Sequence, residues 1–432
     1  MLARSVMEKV LGRIWASPRI TEDFAAICAT GGRFAGTASE KASVEWLARR
    51  LAEASGATVT REAIPYRGWT RIGARVTDAG GMTHRAEALG RSPSTPPEGL
   101  EAVLLDLGRG TPEQILAAGE AVRGAIILVR HEFMVGTGHM HRRKKYECAR
   151  DAGAAGFLIA CHEPGLLPVT GSAGNGGPGN IPCAGLTYEA GAALAAQTGR
   201  RIRLFVEGIF EDRHAENLLT TVAGQGEELL VLSAHIDGHD LAYSAIDNAS
   251  GLACALTVIE AIRDIVPGLT RGVQVGLFNI EEWALLGSAA HLAQMAPAER
   301  AKRVLNVNLD SLAGAEGITA LTSGVPGMVE FLHTALAPAG MSVGISAPFM
   351  GNSDHANYLR HGIPALRLCA GFDCPQSNMR FLLTPADTPD KVHPHQLKLA
   401  ASIAALLVLA GCASPAAPVP RLDEASAQRI TA

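Results

Sequence analysis

Aromatic residues are scarce. Phe, Tyr and Trp make up 5% of the 432 residues, too few for the stacking platforms that grip single-stranded bases. An excess of positive charge is missing as well. Lys and Arg number 38 against 42 Asp and Glu, a formal net charge of −4, which leaves no electrostatic footprint for nucleic acid. The chain opens without the apolar core of a signal peptide: charges interrupt MLARSVMEKVLGRIWASPRITEDF, which reads as a first helix. The longest apolar stretch, LAASIAALLVLAGCA at 399–413, is short for a membrane span and reads as a packed, Ala-rich terminal helix. Its LAGC resembles a lipoprotein cleavage box but lies at the wrong end of the chain. The eight cysteines show no CxxC spacing, and most read as reduced core thiols of a cytoplasmic protein. Cys369 and Cys374 are near enough to bridge only in an oxidising compartment. No serine or cysteine stands in a nucleophile arrangement.

What is present is a globular composition. Hydrophobic residues are 47% and charged residues 19%, enough for a sizeable core and too little charge for a disordered chain. The length implies two to three domains, or one large domain with an insertion. Residues 1–55 read as helices, the last starting near Ser39 and stopping at Gly56. Residues 58–75 alternate as a strand pair. From 76 to 205 short apolar runs (AVLLDLG, GAIILVR, GFLIAC, IPCAGL) alternate with glycine-rich turns, which describes a small inserted β-rich domain. Within it, HRRKKYECAR at 141–150 reads as a solvated helix face, with anion or substrate-carboxylate binding as the other reading. GSAGNGGPGN at 171–180 lacks the order of a phosphate loop and reads as a flexible loop. The expected organisation is 1–75 and 206–412 as the main domain, 76–205 as the insertion, and 413–432 as a flexible tail.

After residue 215 the pattern becomes strand then helix, repeatedly: ELLVLSAHID, ASGLACALTVIEAIRDI, GVQVGLFNIEE, WALLGSAAHLAQM, RVLNVNLDS. Continuous apolar strands alternating with helices predict an α/β fold, a mixed, mostly parallel sheet with helices on both faces. The carboxyl ends of such strands are where open α/β sheets bind ligands. Three of them end in His235, Asp237, Asp247, Glu281, Glu282 and Asp310. Any one alone reads as a cap or a turn. Together, crowded carboxylates repel one another and raise each other's pKa, and a divalent cation removes that cost. Carboxylate and imidazole suit Zn²⁺, Mn²⁺ or Co²⁺ better than Ca²⁺.

The segments HIDGHDLAYSAIDNASG, NIEEWALLGS and NLDS resemble the zinc aminopeptidase and glutamate carboxypeptidase family of two-metal exopeptidases. AGAAGFLIACHE and IPCAGLTYEAGAAL resemble the protease-associated domain inserted in many of its members. GNSDHANYLRHGIPALRL and LLTPADTPDKV resemble the family's C-terminal segments, so the likeness runs over nearly 20–410. The resemblance implies roles. His235, Asp247 and Asp310 would hold one metal, with Asp237 orienting the imidazole and Asp247 bridging to a second metal through a cis peptide to Asn248. Glu282 would hold that second metal, and Glu281 would be the general base. One or two divalent ions, Zn²⁺ first and Mn²⁺ or Co²⁺ as alternatives, would be the cofactors.

The sequence departs from the pattern at one place. Leu383 stands where the family carries its last metal-binding histidine, and leucine cannot bind a metal. His355, His239, His393 and His395 are the candidate substitutes, and His355 is expected as a metal or substrate contact in the catalytic set with Glu281 and Asp237. The implied activity is hydrolysis of amide-type C–N bonds, most simply removal of an N-terminal residue from a small peptide. An amidohydrolase acting on an N-acyl amino acid or arylamine, and a binding protein that has kept the fold, stay open as alternatives. No membrane or nucleic-acid partner is expected, and a homo-oligomer is an expectation of the resemblance.

Overall fold

The computed structural model describes residues 3–165, 167–174, 176–413 and 419–431. Three helices, Arg4–Ala16, Arg19–Ala29 and Ala38–Ser55, open the chain. The third starts where the Thr37 side chain accepts from the Glu40 amide, and it stops at Gly56, whose φ of 66° a side chain would resist. Arg50 on this helix donates to Asp23 at 2.8 Å and pairs with Glu260. That buried pair ties the N-terminal helices to the central helix Ser250–Ile262.

The predicted strand pair over 58–75 is a single strand, Thr60–Thr77. Its partner is the still longer Arg201–Val222, which pairs with it antiparallel from Thr60↔Leu219 to Thr77↔Arg203. The alternation in the sequence is one ribbon strand with two differing faces, not a hairpin. This ribbon carries the insertion. On its far part the strands Leu100–Asp106, Ile126–Arg130, Gly156–Ala160 and Cys183–Leu186 run parallel. On its near part Leu218–Val222 pairs with Gly272–Phe278, and parallel strands Leu229–His235, Arg303–Leu309 and Ala365–Ala370 follow. All thirteen strands among the described residues join in one mixed sheet.

The main core lies on the near part. The helices Ser250–Ile262 and Pro394–Cys412 are almost wholly buried there. Ala245–Ile262, which contains the first of them, and Pro394–Cys412 are each long and apolar enough to cross a membrane, and both are mostly packed inside the protein instead. The eight cysteines are free thiols, seven of them wholly or partly buried. Two smaller clusters, around Trp69 and Leu158 and around Tyr146 and Phe157, form the insertion's core, the first shared with Phe34, Ile280 and Trp283 of the main domain.

Two segments expected to be loose are packed. Residues 419–431 are ordered: a helix at Glu424–Thr431 buries Ala427, and Val419, Leu422 and Ile430 pack on the main core. These apolar residues give the segment a face to bury, which outweighs its Pro and Ala content; 414–418 and 432 lie outside the described residues. Likewise Gly171–Gly174 are buried, with Arg142 donating to the Ser172 carbonyl at 2.8 Å; residue 175 lies outside the described residues.

Replacing Arg50 by Ala leaves Asp23 buried without its cation. It is expected to lower unfolding stability by about 3–5 kcal/mol, and the double replacement Arg50→Met with Asp23→Leu should recover most of it, both read by urea titration.

Candidate metal centre

His235 is the last residue of its strand, paired with Phe278 on the neighbouring strand. Glu281 and Glu282 follow Phe278 by three and four residues, and Asp310 follows the strand ending at Leu309. Parallel strands in register therefore deliver all four side chains to one sheet edge, and the loop after His235 brings Asp247 back to it. His235 Nε2 lies 3.0 Å from Asp247 Oδ1 and 3.7 Å from Asp310 Oδ1. Ligand atoms of His235, Glu281 and Asp310 all fall within 4.8 Å of one another. Every one of these residues is buried.

The chemistry of this donor set fits a cation. His235 Nδ1 sits 2.9 Å from the Asp237 carbonyl oxygen. A carbonyl can only accept, so Nδ1 carries the hydrogen, and the Nε2 lone pair faces two carboxylates. That arrangement is repulsive unless a proton or a metal stands between them. The local charges say the same: burial works against a charged imidazole, yet Glu281, Asp237, Asp247 and Asp310 hold His235 well above its usual range. A divalent cation takes the place of that proton.

Asp237 does something other than the sequence suggests. Its carboxylate is 3.8 Å from Nδ1, outside hydrogen-bond reach. Its two oxygens accept instead from the amides of Glu281 at 3.0 Å and Glu282 at 3.1 Å. Asp237 thus orients the imidazole through its backbone and the two glutamates through its side chain. The peptide between Asp247 and Asn248 is cis, as the resemblance implies. Asn248 then locks the turn, donating to the Leu309 carbonyl and accepting from the amides of Gly251 and Ser311.

Several supports carry no local signal in the sequence. Arg33 is fully buried and donates to the carbonyls of Ile236, Tyr243 and Ser244, stitching down the loop between the two ligands. Asp387 accepts from the amides of Ile246 and Asp247, and burial pushes it up to about 7. Ser353 and Arg367 both hold Asp310 Oδ2, at 2.5 and 3.2 Å. Asn279 donates to Glu40 at 2.6 Å, and the next residue, Ile280, adopts φ 50°, a conformation costly for a β-branched side chain and typical of braced functional loops.

A cavity of about 580 Å³ opens onto this edge. Asp247, Glu281, Glu282 and Asp310 line one side of it. Burial first, and then Glu282, Asp354 and Asp310, raise Glu281 well above the carboxylate range against the pull of His235. The inserted domain adds Arg142, Arg143 and Lys144 to the lining, joined by Arg360. The basic run is therefore no solvated helix face. Arg142 and Lys145 are buried, Lys145 on Glu132 and two carbonyls, and burial pushes Arg142 down to about 10. One turn of helix starting at His141 aims this charge into the cleft.

The histidine candidates separate cleanly. His355 is fully buried, its two ring nitrogens have no partner among the described residues, and it does not line the cavity; burial pushes it down to about 3. It packs behind the wall near Phe349, so the expected catalytic contact is not made. Its neighbour Asp354 holds Ser288 instead. His393 caps the helix Pro394–Cys412 and His395 pairs with Glu316 at 2.6 Å, away from the cavity. Leu383 is buried in the insertion's core, and its carbonyl accepts from the Thr170 amide. His239 lies with Nε2 2.7 Å from Glu282 Oε1.

Asp387→Ala removes the side chain that holds the Asp247 turn. Metal affinity is expected to fall about 10–100-fold, measured by competition titration with a chromogenic chelator.

Residues 217–408 match the Peptidase family M28 and residues 95–194 the PA domain. Aminopeptidase YwaD of Bacillus subtilis is 23% identical over 384 residues, covering 87% of this chain and 80% of that protein. Leucine aminopeptidase 2 of Trichophyton rubrum is 26% identical over 354 residues, 78% of this chain and 68% of that one. Among solved structures, BSAP, a zinc aminopeptidase from Bacillus subtilis, superposes with a TM-score of 0.73 at 22% identity over 94% of this chain and 97% of its own. A peptidase M28 precursor from Shewanella amazonensis gives 0.80 at 21% identity over 97% and 99%. The matches fall on the domain that carries the ligand cluster, which is similar to peptidase family M28 over 217–408, and on the insertion, which is similar to the PA domain over 95–194.

Proposed function

We propose that the protein is a metal-dependent aminopeptidase that acts on short peptides, with Zn²⁺ as the working ion and Mn²⁺ or Co²⁺ as substitutes. The observation that carries this reading is Glu281, a buried carboxylate on the cavity wall within 4.8 Å of ligand atoms of His235 and Asp310. His235, Asp247 and Asp310 would hold the ion, which would polarise the scissile carbonyl and lower the pKa of a water.

The chain's own groups account for the proton traffic. Glu281 takes one proton from the attacking water as its oxygen bonds to the carbonyl carbon. The C–N bond breaks, and Glu281 returns the proton to the leaving nitrogen. Burial among Glu282, Asp354 and Asp310 keeps this carboxyl basic enough for the task. Asp237 fixes its backbone amide, so the base is aimed before substrate arrives.

The cavity's charge pattern supports the substrate class. Acids on one side suit a peptide's free α-amine. Arg142, Arg143, Lys144 and Arg360 line the same cavity, which suits a free carboxylate on the leaving side. The placement in the cytoplasm is supported by the eight free thiols.

Glu281→Gln is expected to lower kcat by about 10²–10⁴ with metal content unchanged, measured on a leucyl dipeptide and by elemental analysis; surviving turnover would remove the base assignment. A leucyl dipeptide with a free C-terminus should exceed its C-terminal amide in kcat/KM by about tenfold or more, and Arg143→Gln should shrink that ratio. Equal rates for acid and amide would show that the basic side does not read a carboxylate.

A further inference from the structure

We infer that Arg71, on the ribbon that carries the inserted domain, is a positioning residue for the loop between His235 and Asp247, and that it acts through Asp240. This deepens the metallopeptidase reading and rests on it for the ion that the loop would hold. Arg71 Nε lies 2.9 Å from Asp240 Oδ2, and Nη2 lies 2.8 Å from Oδ1. Two parallel bonds of this kind fix direction as well as distance. The Arg71 side chain is 8% exposed, so salt screens the pair less than it would a surface bridge. The other donors of the guanidinium go to the insertion, Nη1 to the Ala88 carbonyl and Nη2 to Thr170 Oγ1 at 2.9 Å. One side chain thus joins the ribbon, two segments of the insertion and the loop that separates two candidate metal ligands.

Asp240 lies between the points that Arg33 holds, the Ile236 carbonyl on one side and those of Tyr243 and Ser244 on the other. Arg33 therefore fixes the two ends of the loop, and Arg71 fixes its middle from the ribbon. A break in the ribbon aims Arg71: the pairing of Thr60–Thr77 with Arg201–Val222 shifts register between Arg71 and Gly73. Such a bulge turns the neighbouring side chain and is common beside active sites. The same short stretch reaches the next ligand loop. Trp283, which follows Glu282, donates Nε1 to the Arg67 carbonyl at 3.3 Å and meets the Tyr66 ring edge-on at a centroid distance of 5.7 Å. Residues 66–71 thus touch two of the loops that present carboxylates to the cavity, as a preorganised ligand shell needs. Lysine would keep the charge of Arg71 but neither its fork nor its four bonds.

The test follows metal release from the full chain, so it does not depend on turnover. Zn²⁺-loaded protein is mixed with excess chromogenic chelator and the loss of Zn²⁺ is timed; the Co²⁺ form is read by visible absorption. Arg71→Met should release Zn²⁺ about tenfold faster or more and change the Co²⁺ bands. Arg71→Lys should do the same, since charge without the fork does not hold Asp240. Asp240→Asn should match them, and the double variant of Arg71→Met with Asp240→Asn should release no faster than either alone. Asp240→Asn removes no bond within the insertion, so it carries the test if Arg71→Met folds poorly. The inference is overturned if Arg71→Met and Asp240→Asn release Zn²⁺ at the unaltered rate, if Arg71→Lys restores that rate, or if the two effects multiply in the double variant. A role in fold stability alone would lower the melting temperature of the apoprotein and leave release and the Co²⁺ bands unchanged, which also overturns it. Zn²⁺ held without peptide hydrolysis would overturn the aminopeptidase reading and leave this one standing, whereas no Zn²⁺ uptake by the unaltered protein would remove both.

Discussion

Four carboxylates and one imidazole are buried together at the edge of the sheet, and the electrostatic cost of that crowding governs the rest of the structure. Asp247, Glu281 and Asp310 surround a His235 nitrogen whose lone pair faces two of them, and Glu282 lines the same cavity. In low dielectric such a group is unstable without positive charge in its midst. The neighbours respond as expected: Glu281 is driven up, while Arg367 and His235 hold Asp310 down against burial. A divalent ion resolves all of these tensions at once, and a general base beside it gains from the same burial.

Holding charges against their repulsion requires a stiff frame. The frame is made of long-range side-chain to backbone bonds more than of sheet. Arg33, from the turn before the third helix, pins three carbonyls of the loop that separates His235 from Asp247. Asp387, near the other end of the chain, pins the two amides at Asp247. Glu40 pins Asn279 and so the loop that presents Glu281. Segments from opposite ends of the chain thus converge on one set of ligands, which is why the N-terminal helices and the last long helix belong to the same domain as the central strands.

The inserted domain completes the cleft instead of decorating it. Two ribbon strands of 18 and 22 residues carry it out from the main sheet. The helix Arg142–Asp151 then returns its basic end to the cavity. Leu383 packs on the insertion's core and also lines the cavity, so the segment that could have carried a ligand presents an apolar side chain there. The cleft is left lined by both acidic and basic side chains.

Much of this was legible in the sequence, for a plain reason. Strand ends are local: an apolar run followed by His235 or Asp310 announces both the strand and the edge where its last side chain emerges. Continuous apolar strands also announced the parallel sheet, and the short glycine-punctuated runs announced the insertion. What local pattern cannot carry is which distant group a side chain meets. HRRKK reads as a solvated helix face until tertiary packing buries Lys145 on Glu132 and turns Arg142 into the cleft. His355 reads as a site residue by its neighbourhood in the chain, yet its helix points it behind the wall. Asp237 orients two glutamates that lie far along the chain. The sequence by itself determined the ligand types and the sheet edge that bears them, because period and strand length are short-range; only the tertiary structure decided which histidine stands beside Glu282 and which charges face it, because those contacts are closed by loops whose course depends on the whole core.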